Sequence, residues 1–185
     1  MGRVVFEFGK FDQPEFGWFK TPYPYGGWQW EQGKWKDIGK GQVKMRRIDN
    51  QWRIFHQAPL APCVEQLADF TPDEVNASYQ RAVLPGSTFT TQVRFWNLTD
   101  QELSRLLWCL VLDSDLGHKA GKGRYLGFGA LQLRLLPESR LIDLKARYSK
   151  NRDNSGVPLD LKKLLQVDLI KHHTELRKLL NVNAL

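Results

Sequence analysis

The sequence contains few of the residues from which disulfide frameworks and metal sites are built. It has two cysteines, Cys63 and Cys109, in 185 residues, which is too few for either kind of site. Cys109 falls within an apolar helical pattern, so we expect a small core residue there. The adjacent histidines His172 and His173 would point about 100° apart on a helix and could not share a metal ion. We therefore expect no cofactor and no metal.

Long apolar runs and nucleotide-binding signatures are also missing. No stretch approaches the roughly 18 apolar residues of a membrane-spanning helix, and no charged-then-apolar leader stands at the N-terminus. We therefore expect a cytoplasmic protein without a membrane partner. Gly121-Lys122-Gly123 lacks the spacing of a phosphate-binding P-loop and the Ser or Thr that follows its lysine.

Positive charge is in excess. The chain has 27 Lys and Arg residues against 20 Asp and Glu residues, which gives a net charge of +7. Such a surplus favours a polyanionic partner, of which nucleic acid is the usual case, although many basic soluble proteins bind no particular polyanion. The length is sufficient for one domain with its own apolar core.

The most informative segment combines glycine with positive charge. Its thirteen residues, Gly117 to Gly129 (GHKAGKGRYLGFG), include five glycines and four His, Lys or Arg residues. Glycine allows positive φ and close approach of another backbone, while Lys and Arg attract phosphate. A flexible, solvated loop is the alternative that these residue types leave open. The predicted RNA-binding residues are His118, Lys119, Gly121, Lys122, Gly123, Arg124, Gly127, Phe128 and Gly129.

Regular secondary structure is predicted on both sides of this segment. Phe89–Trp96 is rich in aromatic and β-branched residues and predicts a strand. Thr99 and Glu102 fit a capping box, which predicts that a helix begins there. Ala130–Leu136 alternates apolar and polar residues and predicts another strand. One apolar face of the helix is predicted from the spacing of Leu103, Leu106, Leu107, Leu110 and Val111.

The stretch from about Leu84 to Tyr148 resembles the RAMP superfamily, the repeat-associated proteins of CRISPR systems, and in particular proteins of type III effector complexes. The resemblance rests on TFTTQVRFWNLTDQELSRLLWCL and on GHKAGKGRYLGFGALQLRL. It implies an α+β fold with a ferredoxin-like (RRM-like) core that binds guide RNA. Members of the superfamily include RNA-lined backbone subunits, small accessory subunits and guide-processing ribonucleases.

The resemblance favours a non-catalytic role. Processing ribonucleases of the superfamily carry the glycine-rich loop close to the C-terminus, whereas 56 residues follow Gly129 here. The catalytic aspartate of backbone subunits cannot be placed, because Asp12 and Asp37 lie in regions that do not match. His118 or His56 would suit general acid–base chemistry, so guide-RNA processing stays open as an alternative. We assign no catalytic residue.

Half of the aromatic residues, 11 of 22, lie between Phe6 and Trp35. Such a segment is ordered rather than disordered, because disordered chains are poor in aromatics. The rings could stack on unpaired bases, or pack in the core or against a protein partner. We expect part of the segment from Phe16 to Trp35 to be buried only in an assembled complex. The predicted docking residues are Trp18, Trp28, Trp30 and Trp35.

The chain is predicted to have three consecutive parts. Residues 1–83 form a β-rich, aromatic-rich part, residues 84–150 the RAMP-like core and residues 151–185 a basic C-terminal helix. The expected function is that of an RNA-binding, non-catalytic subunit of a type III CRISPR effector complex. Its partners would be guide RNA, target RNA as a further option, and other effector subunits; a protein–protein adaptor is the remaining alternative. Smaller predicted elements are a hairpin of Val43–Ile48 with Trp52–His56, a short helix at Asp73–Ala82 and a long helix from Pro158 to Val182.

Overall fold

Short antiparallel strands and helices make up an α+β structure, which confirms the predicted class. The structure is a computed structural model, and it describes residues 2–22, 28–39, 55–143, 147–148 and 156–182. The helices are α1 (Asp100–Val111), α2 (Leu161–Leu164) and α3 (His173–Leu180), with 3₁₀ turns at Arg124–Leu126 and Val167–Leu169. The strands are β1 (Val4–Phe6), β2 (Lys10–Asp12), β3 (Phe16–Pro22), β4 (Trp28–Glu31), β5 (Lys34–Asp37), β6 (Glu65–Leu67), β7 (Ala77–Val83), β8 (Thr88–Thr90), β9 (Val93–Phe95), β10 (His118–Lys119), β11 (Ala130–Leu131), β12 (Arg140–Leu141) and β13 (Val157–Pro158).

The longest feature is an antiparallel ribbon, formed by residues 4–22 and 77–95. Strand β1 pairs with β9, β2 with β8, and β3 with β7, so the two segments run side by side along their whole length. Strand β6 pairs with the other edge of β3 and adds a third strand there. Within the described residues the strands associate in twos and threes. A single four-stranded sheet of the ferredoxin-like kind is therefore not confirmed.

One face of β3 is turned into the protein. Phe19 and Thr21 alternate along the strand and are both buried, because neighbouring side chains of a strand point to opposite faces. Trp18 and Lys20 lie on the outer face, where the Lys20 ammonium pairs with the carboxylates of Asp73 and Glu74. At β3 the ribbon thus contributes its inner face to the core, while residues Phe70, Asp73 and Glu74 cover part of its outer face.

Helix α1 follows the ribbon directly and begins at the predicted capping box. The Glu102 amide donates to the Thr99 hydroxyl at 3.3 Å, and the Glu102 carboxylate accepts from the Thr99 amide at 2.9 Å. The same carboxylate binds the Arg3 guanidinium, and these two partners lower the pKa of Glu102 to about 2. The capping box therefore also ties the N-terminal segment to the helix.

The apolar face of α1 is confirmed, since Leu103 and Leu107 are buried. The prediction that Cys109 is a core residue is wrong, because its side chain is exposed. Positions two residues apart lie on opposite sides of a helix, so burial of Leu107 turns Cys109 outward.

Several predicted elements are wrong or shorter than predicted. Asp73–Ala82 is not a helix, because residues from Ala77 onward form β7 and pair with β3. The predicted strand Phe89–Trp96 is split into β8 and β9, and Thr91 between them donates its hydroxyl hydrogen to the Glu7 carbonyl. Of the predicted strand Ala130–Leu136, only β11 is strand. The predicted hairpin Val43–Ile48 and Trp52–His56 lies outside the described residues, apart from positions 55 and 56.

The predicted long C-terminal helix is also wrong, because α2, a 3₁₀ turn and α3 replace it. His172 has a φ of 56°, in the left-handed region, which interrupts a continuous helix before α3. Because of this break, the apolar side chains of the segment pack around the end of α1 instead of lining one side of a straight helix. Leu165, Ile170, Leu176 and Leu180 pack against the buried cluster of Trp108, Leu112 and Leu116.

Ion pairs hold α3 to the residues that follow α1. The Arg177 guanidinium binds the carboxylates of both Asp113 and Asp115. His173 Nε2 lies 3.3 Å from the Asp113 carboxylate, and its ring contacts Trp108 edge-on. His173 and Arg177, two basic residues of this segment, therefore face the end of α1 and the residues that follow it.

Candidate nucleic-acid interface

The glycine loop, residues 117–129, closes a hairpin between β10 and β11. His118 lies opposite Leu131 and Lys119 lies opposite Ala130. The Ala120 amide extends this ladder by donating to the Gly129 carbonyl at 2.9 Å. The 3₁₀ turn Arg124–Leu126 stands in the middle of the loop. All nine predicted RNA-binding residues are thus brought into one hairpin.

Close packing requires glycine at two positions of the loop. A Cβ atom at Gly127 would lie 2.2 Å from the Pro59 carbonyl oxygen, and one at Gly129 would lie 1.8 Å from the Ala120 carbonyl oxygen. Both glycines also have positive φ, which side chains disfavour. The Ala61 amide donates to the Leu126 carbonyl at 2.9 Å and fixes the loop to the segment before β6. The loop is consequently packed against the rest of the protein and is not a flexible, solvated loop.

Lys119 points into the loop. Its ammonium donates to the carbonyl oxygens of Gly127 at 2.7 Å and Phe128 at 3.1 Å. Burial disfavours the charged form more than these bonds favour it, so the pKa of Lys119 falls to about 8. The lysine predicted to neutralise a phosphate instead holds the two ends of its own loop together.

The His118 side chain likewise contacts a group of the protein itself. Its Nε2 lies 2.8 Å from the Leu110 carbonyl oxygen at the end of α1, a contact that suits the tautomer with hydrogen on Nε2. The buried Gln57 amide donates to the Gly117 carbonyl at 2.7 Å and the His118 carbonyl at 3.1 Å. These contacts dock the hairpin against α1 and give His118 a positioning role.

Phe128 packs beneath the loop. Its ring meets Phe19 of β3 edge-to-face with centroids 5.2 Å apart, and a Cβ at Gly123 would lie 2.8 Å from the same ring. The loop therefore rests on the inner face of the ribbon. Phe128 therefore holds the glycine-rich turn against an apolar side chain of β3.

The loop carries two exposed cations and a run of backbone amides without a partner among the described residues. Lys122 and Arg124 are exposed, and the Arg124 guanidinium lies over the Phe55 ring at 4.7 Å from its centroid. Within the part of the chain that the structure describes, the amides of residues 121–124 donate no hydrogen bond. Consecutive unpaired amides beside left-handed glycines form a concave surface that attracts anions. This part of the loop has the chemistry to bind a phosphate.

The four predicted docking tryptophans are partly covered by the chain itself. Trp18 stacks on Phe70 with ring centroids 4.3 Å apart. Trp30 and Trp35 meet edge-on at 5.3 Å across the hairpin of β4 and β5. Trp28 lies in β4, which contacts the 3₁₀ turn of the glycine loop. Three of the tryptophans thus contact other rings of the chain, and the most exposed aromatic side chains lie elsewhere.

Sequence reasoning missed those exposed aromatics. Phe8 of the ribbon is fully exposed, Tyr148 is 82 % exposed and Phe6 of the ribbon is 64 % exposed. The available signal for the two phenylalanines is their position in a short segment that alternates with charged and glycine residues, FEFGKF. That pattern predicts a strand with one apolar face, but it does not say whether the same chain covers that face.

Comparison with protein-family models, curated proteins and solved structures finds no match to this chain. Among the described residues no His, Cys, Asp and Glu side chains cluster as metal ligands would. No described helix is long and apolar enough to cross a membrane. The assignment of a function therefore depends on the chemistry of the loop and on the sequence resemblance.

The buried position of Lys119 leads to a prediction about pH. We expect the free energy of unfolding to rise between pH 8 and about 10.5, because unfolded Lys119 then keeps a proton that the folded protein has released. Denaturant titrations at several pH values measure this rise. It should disappear in Lys119→Met and persist in Lys122→Met, whose lysine is exposed. Identical pH profiles for the wild type and Lys119→Met would contradict the burial of that ammonium.

Proposed function

We propose that this chain is a non-catalytic, RNA-binding subunit of a type III CRISPR effector complex. It would hold single-stranded guide RNA against residues 121–124 of the glycine loop, with target RNA as the other candidate strand. The ferredoxin-like core implied by the sequence resemblance and a cytoplasmic location belong to the same proposal. The observation that carries it is the row of unpaired amides at 121–124 beside the exposed cations Lys122 and Arg124.

The rigidity of the loop supports this proposal. A loop that must be ordered on binding loses affinity to conformational entropy, whereas a preformed one does not. Here Lys119, the tight contacts of Gly127 and Gly129, and the Phe128 support fix the loop before any ligand arrives. The unpaired amides are therefore held in place for a phosphate.

Charge also favours a polyanion. The chain carries a net charge of +7, and Lys122 and Arg124 add their charges to the concave surface of amides. The position of Arg124 over Phe55 leaves a flat guanidinium beside an aromatic ring. Arg and aromatic planes are the groups on which unpaired bases stack, so the same corner could contact a base next to the bound phosphate.

The guide-processing alternative is less well supported by the site. Its candidate base His118 already contacts the Leu110 carbonyl through Nε2. His56 is exposed, and no carboxylate among the described residues hydrogen-bonds to it. The adaptor alternative is favoured by the exposed phenylalanines of the ribbon, and it is compatible with RNA binding because the two surfaces are different.

The central experiment removes two cations from the loop. Lys122→Ala with Arg124→Ala should reduce the slope of log K against log salt by about 1.4 for single-stranded RNA, because each lost phosphate contact removes about 0.7. The same relation gives an affinity loss of about 25-fold at 0.1 M salt. Fluorescence anisotropy with a labelled repeat RNA at several salt concentrations measures both quantities.

A charge-matched control separates the loop from the overall charge. Lys162→Ala with Lys163→Ala removes the same two charges from exposed positions of α2. This control should leave the slope nearly unchanged, and equal effects of the two double variants would refute specific binding at the loop. Gel analysis of the same mixtures tests the ribonuclease alternative, since cleavage abolished by His118→Ala or His56→Ala would establish it.

A further inference from the structure

The N-terminal segment of the ribbon, residues 4–22, exposes four phenylalanines. Phe8 is fully exposed and Phe6, Phe11 and Phe16 are between 44 % and 64 % exposed. Val5 of the same segment and Val83 of its partner segment are also exposed. Exposed apolar side chains are unfavourable in water, and several of them in one short segment are typical of a binding site.

The charges on the ribbon argue against a nucleic acid as that partner. Arg3 pairs with Glu102 and Arg94 pairs with Glu7, so their charges are already balanced. Arg81 lies over the Phe16 ring at 4.3 Å from its centroid. A groove for single-stranded nucleic acid needs a track of available cations along the backbone, whereas residues 4–12 carry one lysine, Lys10, against the carboxylates of Glu7 and Asp12.

One edge of the ribbon also has unpaired backbone groups. In the described ranges β1 and β2 each pair with a single strand, so their outer edges carry unpaired amide and carbonyl groups. A two-stranded ribbon is marginally stable in water and gains from a third strand or a covering layer. An added strand would satisfy the open edge, and its side chains would lie beside the phenylalanines.

We infer that β1 and β2 form a docking surface for a different protein, which adds an edge strand there and covers Phe6, Phe8 and Phe11 with apolar side chains. A second copy of this chain is disfavoured, because two molecules with a net charge of +7 repel each other. The surface is separate from the glycine loop, so the inference does not rest on RNA binding.

Hydrogen exchange on the native assembly tests the inference. The tagged full-length protein is purified with its partners from the cells that encode it, and amide exchange is compared with that of the isolated protein. Residues 4–12 should exchange at least tenfold more slowly in the assembly, before and after ribonuclease treatment. Equal exchange in both samples, recovery of the protein alone or as a self-dimer, or protection lost with the RNA would overturn the inference.

A single substitution tests the side-chain contact without disturbing the fold. Phe8→Ser removes a ring that is fully exposed in the free protein, so its circular dichroism and melting temperature should not change. Incorporation into the assembly should fall about ten- to a hundredfold, the range expected for one buried phenylalanine. Val75→Ser is the matched control, because Val75 is 99 % exposed and lies outside the ribbon. Undiminished incorporation of Phe8→Ser would refute the proposed contact.

Discussion

Replacing Gly129 with alanine is expected to destabilise the protein by about 3–5 kcal/mol. Two penalties combine, since φ is 78° at this position and the new methyl group would stand 1.8 Å from the Ala120 carbonyl oxygen. The clashing atom belongs to the backbone and cannot rotate away. The strands β10 and β11 would have to separate, and the Ala120–Gly129 hydrogen bond would be lost. Urea denaturation of the two proteins measures the difference.

Gly121→Ala is the matched control for this experiment. Gly121 has a similar φ of 82°, but no atom lies within 4 Å of its added Cβ. Its substitution should therefore show the conformational penalty alone, about 1–2 kcal/mol. If the two variants were equally stable, the close approach of the hairpin strands at Gly129 would be wrong. RNA affinity should also fall in Gly129→Ala, because the amides at 121–124 would no longer be held in place.

Leu116→Ala is expected to lower the free energy of unfolding by about 2–5 kcal/mol. Leu116 is 1 % exposed and belongs to the cluster with Trp108 and Leu112 on which the C-terminal leucines pack. Its truncation leaves a cavity between α1 and the segment containing α2 and α3. Thermal and urea unfolding, followed by circular dichroism, measure the loss.

Leu136→Ala provides the leucine control. Leu136 is 44 % exposed, so the same truncation there should change stability by less than about 1 kcal/mol. Comparable losses at both positions would contradict a core centred on the end of α1. Leu116 also directly precedes the glycine loop, which links the stability of this core to the geometry of the candidate interface.

Local signals in the sequence predicted the features that depend on a few neighbouring residues. The capping box of Thr99 and Glu102 is one example, because both partners lie within one turn of helix. The glycines of residues 117–129 are a contrasting case, because the atoms that exclude a side chain belong to Ala120 at Gly129 and to the distant Pro59 at Gly127. Residue types indicated that the loop could approach another backbone closely, but they did not indicate which backbone it would be.

Features that depend on distant partners could not be predicted in this way. Ala77–Val83 is a strand because β3 lies beside it, and the intervening sequence gives no sign of that pairing. The direction of Lys119 depends on carbonyl groups eight and nine residues later. From residue types alone, a lysine in a glycine-rich loop is equally suited to bind phosphate or to hold the loop closed.

The aromatic residues illustrate the same limit. We predicted that the tryptophans dock onto a partner because large rings are common at interfaces. In the structure Trp18 and Phe70 cover each other, as do Trp30 and Trp35, whereas smaller rings such as Phe8 stay exposed. Exposure depends on what the rest of the chain brings to each ring, which composition does not record.

The pairing of the ribbon also determines how the chain can fold. Pro22 lies opposite Ala77 and Val4 lies opposite Phe95, so every pair of the ribbon encloses a large part of the sequence. Closing such loops is entropically unfavourable and slow. Helix α1 and the hairpin of the glycine loop need only near neighbours and can form first. During synthesis residues 4–22 leave the ribosome well before residues 77–95 exist, so the backbone groups of this N-terminal segment remain unpaired for longest in the newly made chain.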